Sequence, residues 1–495
     1  MNRFRLHPPQ VSRRSVRFRW EVEPRTNLYR AHSFALRFPE SCDIERVPES
    51  LWWTIAMICL HAHWTILRPC RVELPVTLDS RELEFWMRLL QSEVTTLEGL
   101  RGNASFDLGI EIDQAGPRLS PPAPLPDSGR CATAFSGGKD SLLQAGLLAE
   151  LTADPILVTT TSPMPPLQDH VTGRRRQILN EIAGRRAVTL VEVESSFRAS
   201  WDNHFADRQG YPIAVNEMTD AFLYLASLLA AGASLGATHL FLASEAEVQQ
   251  TVERGGHIVQ HKHYMYSVAT QRALQALLAP LGFRYSSLTS PLHSDQVQRL
   301  LWSRYADLAD LQYSCWRVQD PEATCSTCSQ CFRIAMTALA MGQNPRNMGI
   351  DLIRLLRAQA GWAVPDSSPN PDLLPTERVA HDLHCQIVRS IAQTPRRRVA
   401  KAIRKSGWRR AVSSEGRQAL RAYGELRRRC ASRTLGDAPG YRAGYLKYVD
   451  PLLRDKVAKV YARSFREQSP AEYEGLLSRT DVLARWTLEP LGGAL

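Results

Sequence analysis

An α/β fold is predicted for this chain by three observations. From about residue 129, short apolar runs alternate with helical stretches, as in a parallel sheet covered on both faces. A glycine-rich loop stands where the first of those runs passes into its first helix. A proline-rich stretch, Ser120 to Pro126, separates this region from the residues before it.

The elements follow in order. Strand-like alternation is read at Ser15 to Val22, Ser33 to Phe38, Val72 to Leu78 and Phe106 to Ile112, with helical stretches at Leu51 to Leu67 and Glu82 to Gly99. These predict an α+β domain over residues 1–126. Beyond the prolines, Cys131 to Phe135 reads as a strand leading into the glycine loop. A helix follows, with Leu142, Leu143, Leu147, Leu148 and Leu151 on its buried side. Pro155 to Thr159, Ala187 to Val193 and Thr238 to Ala243 read as further strands, and Gln168 to Ala183 and Thr219 to Leu235 as helices. This unit is expected to span residues 129–345. Residues 346–495 read as helical and basic, interrupted by a loop from Val364 to Pro375. No internal repeat is visible.

Composition bounds the class. The 495 residues exceed one ordinary domain, and 44% apolar with 22% charged residues is the balance of a globular protein, not a disordered one. Leu51 to Leu67 contains His61 and His63, and Phe222 to Ala243 is broken by Gly232, Gly236 and His239. Both therefore read as buried elements rather than membrane spans. The basic N-terminus is not followed by an unbroken apolar run, so no secretory signal is expected and a reducing cytoplasm is the expected compartment. The net charge of +11 is concentrated: fourteen Lys and Arg against Glu415 and Glu425 lie between Arg396 and Arg433. With Trp408 and Tyr423 set among them, those cations would suit nucleic-acid phosphates and bases, or an acidic partner protein.

The loop Ser136-Gly137-Gly138-Lys139-Asp140-Ser141 carries the clearest chemistry. Adjacent glycines let backbone amides crowd an anion, and the helix amino terminus adds unpaired N–H groups and partial positive charge. Ser136 and Ser141 offer hydroxyls to phosphate oxygens, and Lys139 lies where it would touch phosphate. Asp140 would repel phosphate unless a cation lies between them, so bridging Mg2+ is its natural role. The loop matches neither the common nucleoside-triphosphate loop nor the dinucleotide fingerprint. Glu245 and Glu247 follow the strand ending at Ala243, the edge where parallel-sheet sites sit, and either would coordinate magnesium or contact a base. Lys262, amid His257, His261 and His263, is a candidate for contacting phosphate or adenylate. His257 and His261 are also spaced for one helix face.

Cys315, Cys325, Cys328 and Cys331 supply four thiolates at a spacing suited to one tetrahedral Zn2+, with an iron–sulfur cluster as the alternative. A structural pin closing the domain is the expected role.

The Ser-Gly-Gly-x-Asp-Ser loop resembles that of the N-type ATP pyrophosphatases. With the cysteine pattern downstream, residues 129–345 look like the 7-cyano-7-deazaguanine synthase (QueC) family. Thr219-Asp220-Ala221-Phe222-Leu223 through Gly236-Ala237-Thr238 also fits that family's long helix and following strand. The resemblance implies an adenine-nucleotide alpha-hydrolase-like core with a PP-loop. It implies ATP binding by residues 135 to 142 (Phe135 through Leu142), catalytic roles for Asp140 and Ser141, and adenylation of a 7-deazaguanine carboxylate followed by amide or nitrile formation; by their positions Glu245 is added to the ATP-binding residues and Lys262 to the catalytic ones.

The chain departs from the family at three places. Met218-Thr219 stands for an Arg-Asn, His293-Ser294-Asp295-Gln296 stands where a Lys is expected, and a Tyr-Pro-Asp-Cys-Arg segment has its nearest text at His263-Tyr264-Met265-Tyr266-Ser267. The ATP chemistry therefore carries over further than the second substrate. Large relatives with added flanking domains occur in bacterial anti-phage gene clusters, and this chain resembles those. The amine acceptor would then be ammonia or a partner protein from the same cluster. A non-catalytic nucleotide-binding scaffold and a tRNA-modifying adenylating enzyme are the alternative readings.

Overall fold

The computed structural model describes residues 1–103, 106–119, 123–162, 167–211, 213–254, 257–315, 324–365, 373–405, 407–433, 435 and 438–469. Its strands are β1 (Asn2–Leu6), β2 (Gln10–Ser12), β3 (Ser15–Glu23), β4 (Ser33–Arg37), β5 (Cys70–Leu74), β6 (Ile110–Gln114), β7 (Cys131–Ala134), β8 (Ile156–Thr161), β9 (Thr189–Ser195), β10 (His239–Phe241), β11 (Thr251–Arg254), β12 (His257–Gln260) and β13 (Arg284–Ser286). The helices through the middle of the chain are α1 (Glu49–Ile66), α2 (Ser80–Leu100), α3 (Lys139–Leu151), α4 (Leu167–Ala183), α5 (Phe205–Arg208), α6 (Val215–Leu235), α7 (Val268–Leu278) and α8 (Ser294–Arg304). They continue as α9 (Ala306–Ala309), α10 (Ser329–Ala340), α11 (Leu352–Ala358), α12 (Pro375–Gln393), α13 (Arg396–Lys405), α14 (Trp408–Val412), α15 (Ser414–Ala431) and α16 (Pro451–Ser464).

One mixed sheet organises the molecule, in the order β13-β10-β7-β8-β9-β4-β3-β1-β5-β6, with β2 added beside β3. The five strands from β13 to β9 are parallel, as the strand–helix alternation predicted. Their side chains alternate between two cores. Ala132, Ala134, Ile156, Val158 and Leu240 face one, shared with α1 and α6, while Cys131, Leu157 and Phe241 face the other, shared with α3, α8 and α10. This is the period-2 signature of a sheet buried on both faces.

The division expected at residue 126 does not interrupt the sheet. β4 pairs antiparallel with β9, Leu36 opposite Ser195 and Arg37 opposite Glu194. The N-terminal residues thus extend the parallel sheet and share its first core. β3 shows why: Val16, Phe18, Trp20 and Val22 point inward while Arg17, Arg19, Glu21 and Glu23 face out, so one face must be covered by α1. Strands expected at Val72 to Leu78 and Phe106 to Ile112 are β5 and β6, whose register sets them at Cys70–Leu74 and Ile110–Gln114. Ser120 to Pro122 of the proline stretch and residues 366–372 of the expected loop lie outside the described residues.

Among the described residues one helix, α6, is long and apolar enough to cross a membrane. It is a core element: it packs along α1 and over β7 and β8. Gly232 lets the end of α6 lie close to β10, since a β-carbon there would stand 2.9 Å from Leu240 Cδ2.

Candidate functional site

The site forms where β7 and β10 end. β7 delivers Phe135 and Ser136, and Gly137 turns the chain with φ +79°, a left-handed conformation that glycine adopts without strain. Gly138 then caps α3 with no side-chain acceptor of its own, so the first-turn amides of Asp140 and Ser141 have no side-chain partner among the described residues. The loop closes on itself: the Ser136 amide donates to Ser141 Oγ at 3.3 Å, and Ser141 Oγ donates to Gly138 O at 3.0 Å. A distant segment braces it. The Tyr313 amide donates to Gly137 O at 2.9 Å, and the Lys139 amide reaches Ser314 Oγ at 3.4 Å.

Lys139 is buried, and its ammonium lies 2.6 Å from Asp140 Oδ1 and 2.9 Å from Glu245 Oε1. Burial pushes the Asp140 carboxyl up to about 6, reinforced by the Glu245 charge and opposed by Lys139 and Arg333. Glu245 Oε2 is buried without a hydrogen-bond partner among the described residues. Two carboxylates against one ammonium leave an excess negative charge and an unsatisfied oxygen. This donor set fits a divalent cation.

Beside the loop opens a cleft of about 270 Å³ lined by Phe135, Ser136, Asp140, Ser141 and Glu245, and walled by Tyr224, Leu242, His263 and Tyr266. Burial and the Lys262 charge push the His263 imidazole down, so it presents a neutral ring. Behind the aromatic wall, Arg198 bonds Asp220 and the Tyr224 hydroxyl, each at 2.8 Å, which fixes the Tyr224 ring. An apolar, aromatic cleft joined to a helix amino terminus could take a flat ligand that carries negative charge.

Several expectations need correction. Lys139 does not line the cleft, because its ammonium is drawn to the two carboxylates. Leu142 lies on α3 and is wholly buried in the second core. Lys262 pairs with Glu217 at 2.6 Å, and it is His263 that lines the cleft. His257 lies on β12 and His261 just after it, so they share no helix face. Glu247 is buried away from the cleft: it accepts from the Ser294 amide at 3.0 Å, binds His293 at 3.2 Å and accepts from Gln386. Burial alone would raise that carboxyl, but the His293 charge and these hydrogen bonds bring it down to about 2. Tyr423 is also buried, its hydroxyl donating to Thr394 O at 2.6 Å, so it is unavailable for stacking. Trp408, in contrast, is 63% exposed.

Sequence reasoning left out Tyr224, Arg198, Ser314 and Arg333. Only the strand-end position of Ser244-Glu245 and the closeness of Ser314 to Cys315 hinted at which distant residues would gather here.

The four cysteine sulfurs lie within 4.8 Å of one another, with Cys325 and Cys331 Sγ 3.9 Å apart. A tetrahedron of Zn–S bonds has edges of roughly 3.8 Å, so the cluster could hold a metal ion such as zinc. The amides of Cys325 and Cys331 donate to the sulfurs of Cys315 and Cys328 at 3.2 and 3.4 Å, as thiolate ligands require. Contacts with Cys315 and Cys331 hold the Cys328 thiol far below its ordinary range, whereas contacts with Cys315 and Cys328 drive Cys331 far above it. Only a cation would let all four ionise together.

Comparison with protein-family models, curated proteins and solved structures finds no match to this chain.

Proposed function

We propose that the chain is an ATP-pyrophosphatase-type ligase that activates a 7-deazaguanine carboxylate. The observation that carries this reading is the Ser136–Ser141 loop, closed by its own hydrogen bonds at a helix terminus, with Asp140 and Glu245 lining the cleft of about 270 Å³ beside it. The substrate carboxylate attacks the α-phosphorus of ATP, the bond to the bridging oxygen breaks, and pyrophosphate leaves. An amine then attacks the acyl adenylate, AMP departs, and an amide forms with loss of one proton. Dehydration of that amide with a second ATP would give the nitrile.

The chain's own groups divide the work. Amides of the loop and of the first turn of α3 hold the departing pyrophosphate, with Ser136 and Ser141 donating hydroxyls. Asp140 and Glu245 would hold Mg2+, which when bound offsets phosphate charge. Tyr224, Tyr266 and Phe135 line the cleft and would pack against the flat base. The extensions around the core, and the resemblance to large relatives in anti-phage clusters, support ammonia or a partner protein as the amine source.

The test is pyrophosphate release from ATP with 7-carboxy-7-deazaguanine. Pure protein that binds ATP yet releases none with this acid rules out that substrate.

A second reading, a nucleotide-binding scaffold without turnover, is favoured by one observation. His293-Ser294-Asp295-Gln296, where the family carries a Lys, is buried at the start of α8 and tied to Glu247, Gln386 and Pro439. Asp140→Ala separates the two: a scaffold keeps its biological activity, whereas a ligase loses it.

A further inference from the structure

The core helix α6 is apolar along most of its length, yet it carries one polar stripe. Glu217, Asp220 and Tyr224 are spaced to share one face of the helix, and each stays partly open while Met218, Ala221, Phe222 and Leu225 are buried. Every member of the stripe meets a cation. Lys262 Nζ lies 2.6 Å from Glu217 Oε1. Arg198, just after β9, donates from Nε to Asp220 Oδ1 and from Nη2 to the Tyr224 hydroxyl, both at 2.8 Å.

The bond from Arg198 fixes how Tyr224 can act. A guanidinium has donors and no acceptor, so the phenol oxygen accepts and its own proton must point elsewhere. Among the described residues that proton meets no acceptor. Tyr224 also lines the cleft beside the glycine loop. The hydroxyl is therefore a donor by construction, polarised by the guanidinium and left for something in the cleft to accept. The charges around it cancel: Glu217 and Asp220 stand against Lys262 and Arg198. A neutral acceptor suits this wall, whereas negative charge belongs at the loop amides.

We propose that Tyr224 determines specificity in the cleft by donating its hydroxyl proton to a neutral acceptor, a carbonyl oxygen or a ring nitrogen, on a flat heteroaromatic ligand. Arg198, held by Asp220, is the positioning residue that keeps the hydroxyl a donor. This rests on reading the cleft as the place of a nucleotide base or a deazaguanine ring, and it names what that ring must present. A ring that turns an amino group toward Tyr224 sets two donors face to face and is rejected.

Calorimetric titration of the full chain with inorganic pyrophosphate, AMP and 7-carboxy-7-deazaguanine tests this. Tyr224→Phe keeps the ring and removes the donor. It should weaken AMP or the deazaguanine acid by roughly 5- to 50-fold while pyrophosphate stays within about twofold, and the ligand that loses affinity is the one Tyr224 reads. Arg198→Lys should weaken that same ligand less, and should add nothing in the Tyr224→Phe background, because Arg198 acts only through the hydroxyl. A loss from Arg198→Lys that persists in the double variant overturns the positioning role. Unchanged affinity for both ring ligands in Tyr224→Phe overturns the assignment. So does an equal loss of all three ligands, which would mark a residue that merely shapes the pocket. Wild-type protein that binds pyrophosphate but neither ring ligand overturns it as well. If wild-type protein binds none of the three, the loop reading itself fails, a result distinct from failure at Tyr224.

Discussion

Lys139 Nζ lies 2.9 Å from Glu245 Oε1, joining the first residue of α3 to the end of a strand more than one hundred residues later. The same ammonium meets Asp140, so one buried cation holds two carboxylates together. Lys139→Met should leave those carboxylates in mutual repulsion and cost about 1–3 kcal/mol. The loss should be larger at pH 8 than at pH 5, because protonation of Asp140 relieves it. Millimolar Mg2+ should restore part of the melting temperature. A variant that melts like wild type at both pH values, with or without Mg2+, excludes this role.

Asp140 provides a pH test of the site. Its carboxyl is raised to about 6 by burial and by Glu245, so the ionised form needed to hold a cation is lost as pH falls through that value. Pyrophosphate release should therefore drop below about pH 6 with a one-proton slope. Raising Mg2+ should shift that limb to lower pH, since metal and proton compete for one oxygen. Rates independent of Mg2+ along the acid limb would separate the limb from Asp140.

The cysteine cluster should contain one zinc per chain, measurable by elemental analysis. Cys328→Ser should lower zinc content and melting temperature together. It should also weaken ATP binding, because Cys315 adjoins the Ser314 hydroxyl on the loop. Loss of zinc with ATP affinity unchanged would show the brace to be independent of the metal.

The legible parts of this chain were the local ones. Ser136–Ser141 and the four cysteines each lie within a short stretch, so a strand–loop–helix turn and a gathering of four sulfurs could be read from spacing. The Lys139–Glu245 contact and the Arg198–Asp220–Tyr224 wall are products of sheet order and helix packing, which no window of sequence contains. β1 looked like a merely basic terminus because its Arg3 and Arg5 alternate with Phe4 and Leu6 over only five residues. Tyr423 was read as part of a binding surface because it sits among arginines. Its place in the series Ala419, Tyr423, Leu426 and Cys430, one buried stripe of α15, was the better signal.

His239 couples the C-terminal region to the sheet. Its Nδ1 is 2.7 Å from Asp450 at the start of α16, and its Nε2 is 3.0 Å from Asp127 before β7. Burial pulls the imidazole pKa down, but the two carboxylates outweigh it and leave the value raised. A raised folded-state pKa means stability that is fully present below the unfolded value near 6.5 and is lost as pH climbs through the folded one. Wild type should thus lose stability between pH 6 and 9 by more than Asp450→Asn does, measured as chemical-denaturation midpoints. Parallel profiles for the two proteins would contradict the linkage.

The basic helices call for point substitutions rather than deletion. Removing residues 390–435 would take Tyr423, Leu426 and Cys430 out of the second core and unfold the protein. Arg397, Lys401 and Lys405 are spaced to project from one side of α13 into a groove of about 420 Å³ also lined by Gln343 and Asn344, and their side chains have no ion-pair or hydrogen-bond partner among the described residues. Reversing these three charges should leave the melting temperature unchanged, since no contact is lost. If the groove takes a nucleic-acid backbone, the slope of log affinity against log salt for a single-stranded oligonucleotide should fall by about 2. Trp408→Ala should weaken binding without changing that slope, because a stacked base contributes no counterion release. An oligonucleotide that binds the triple variant as tightly as wild type would assign the groove to an acidic protein surface, and charge-reversed partner variants would then restore the lost complex.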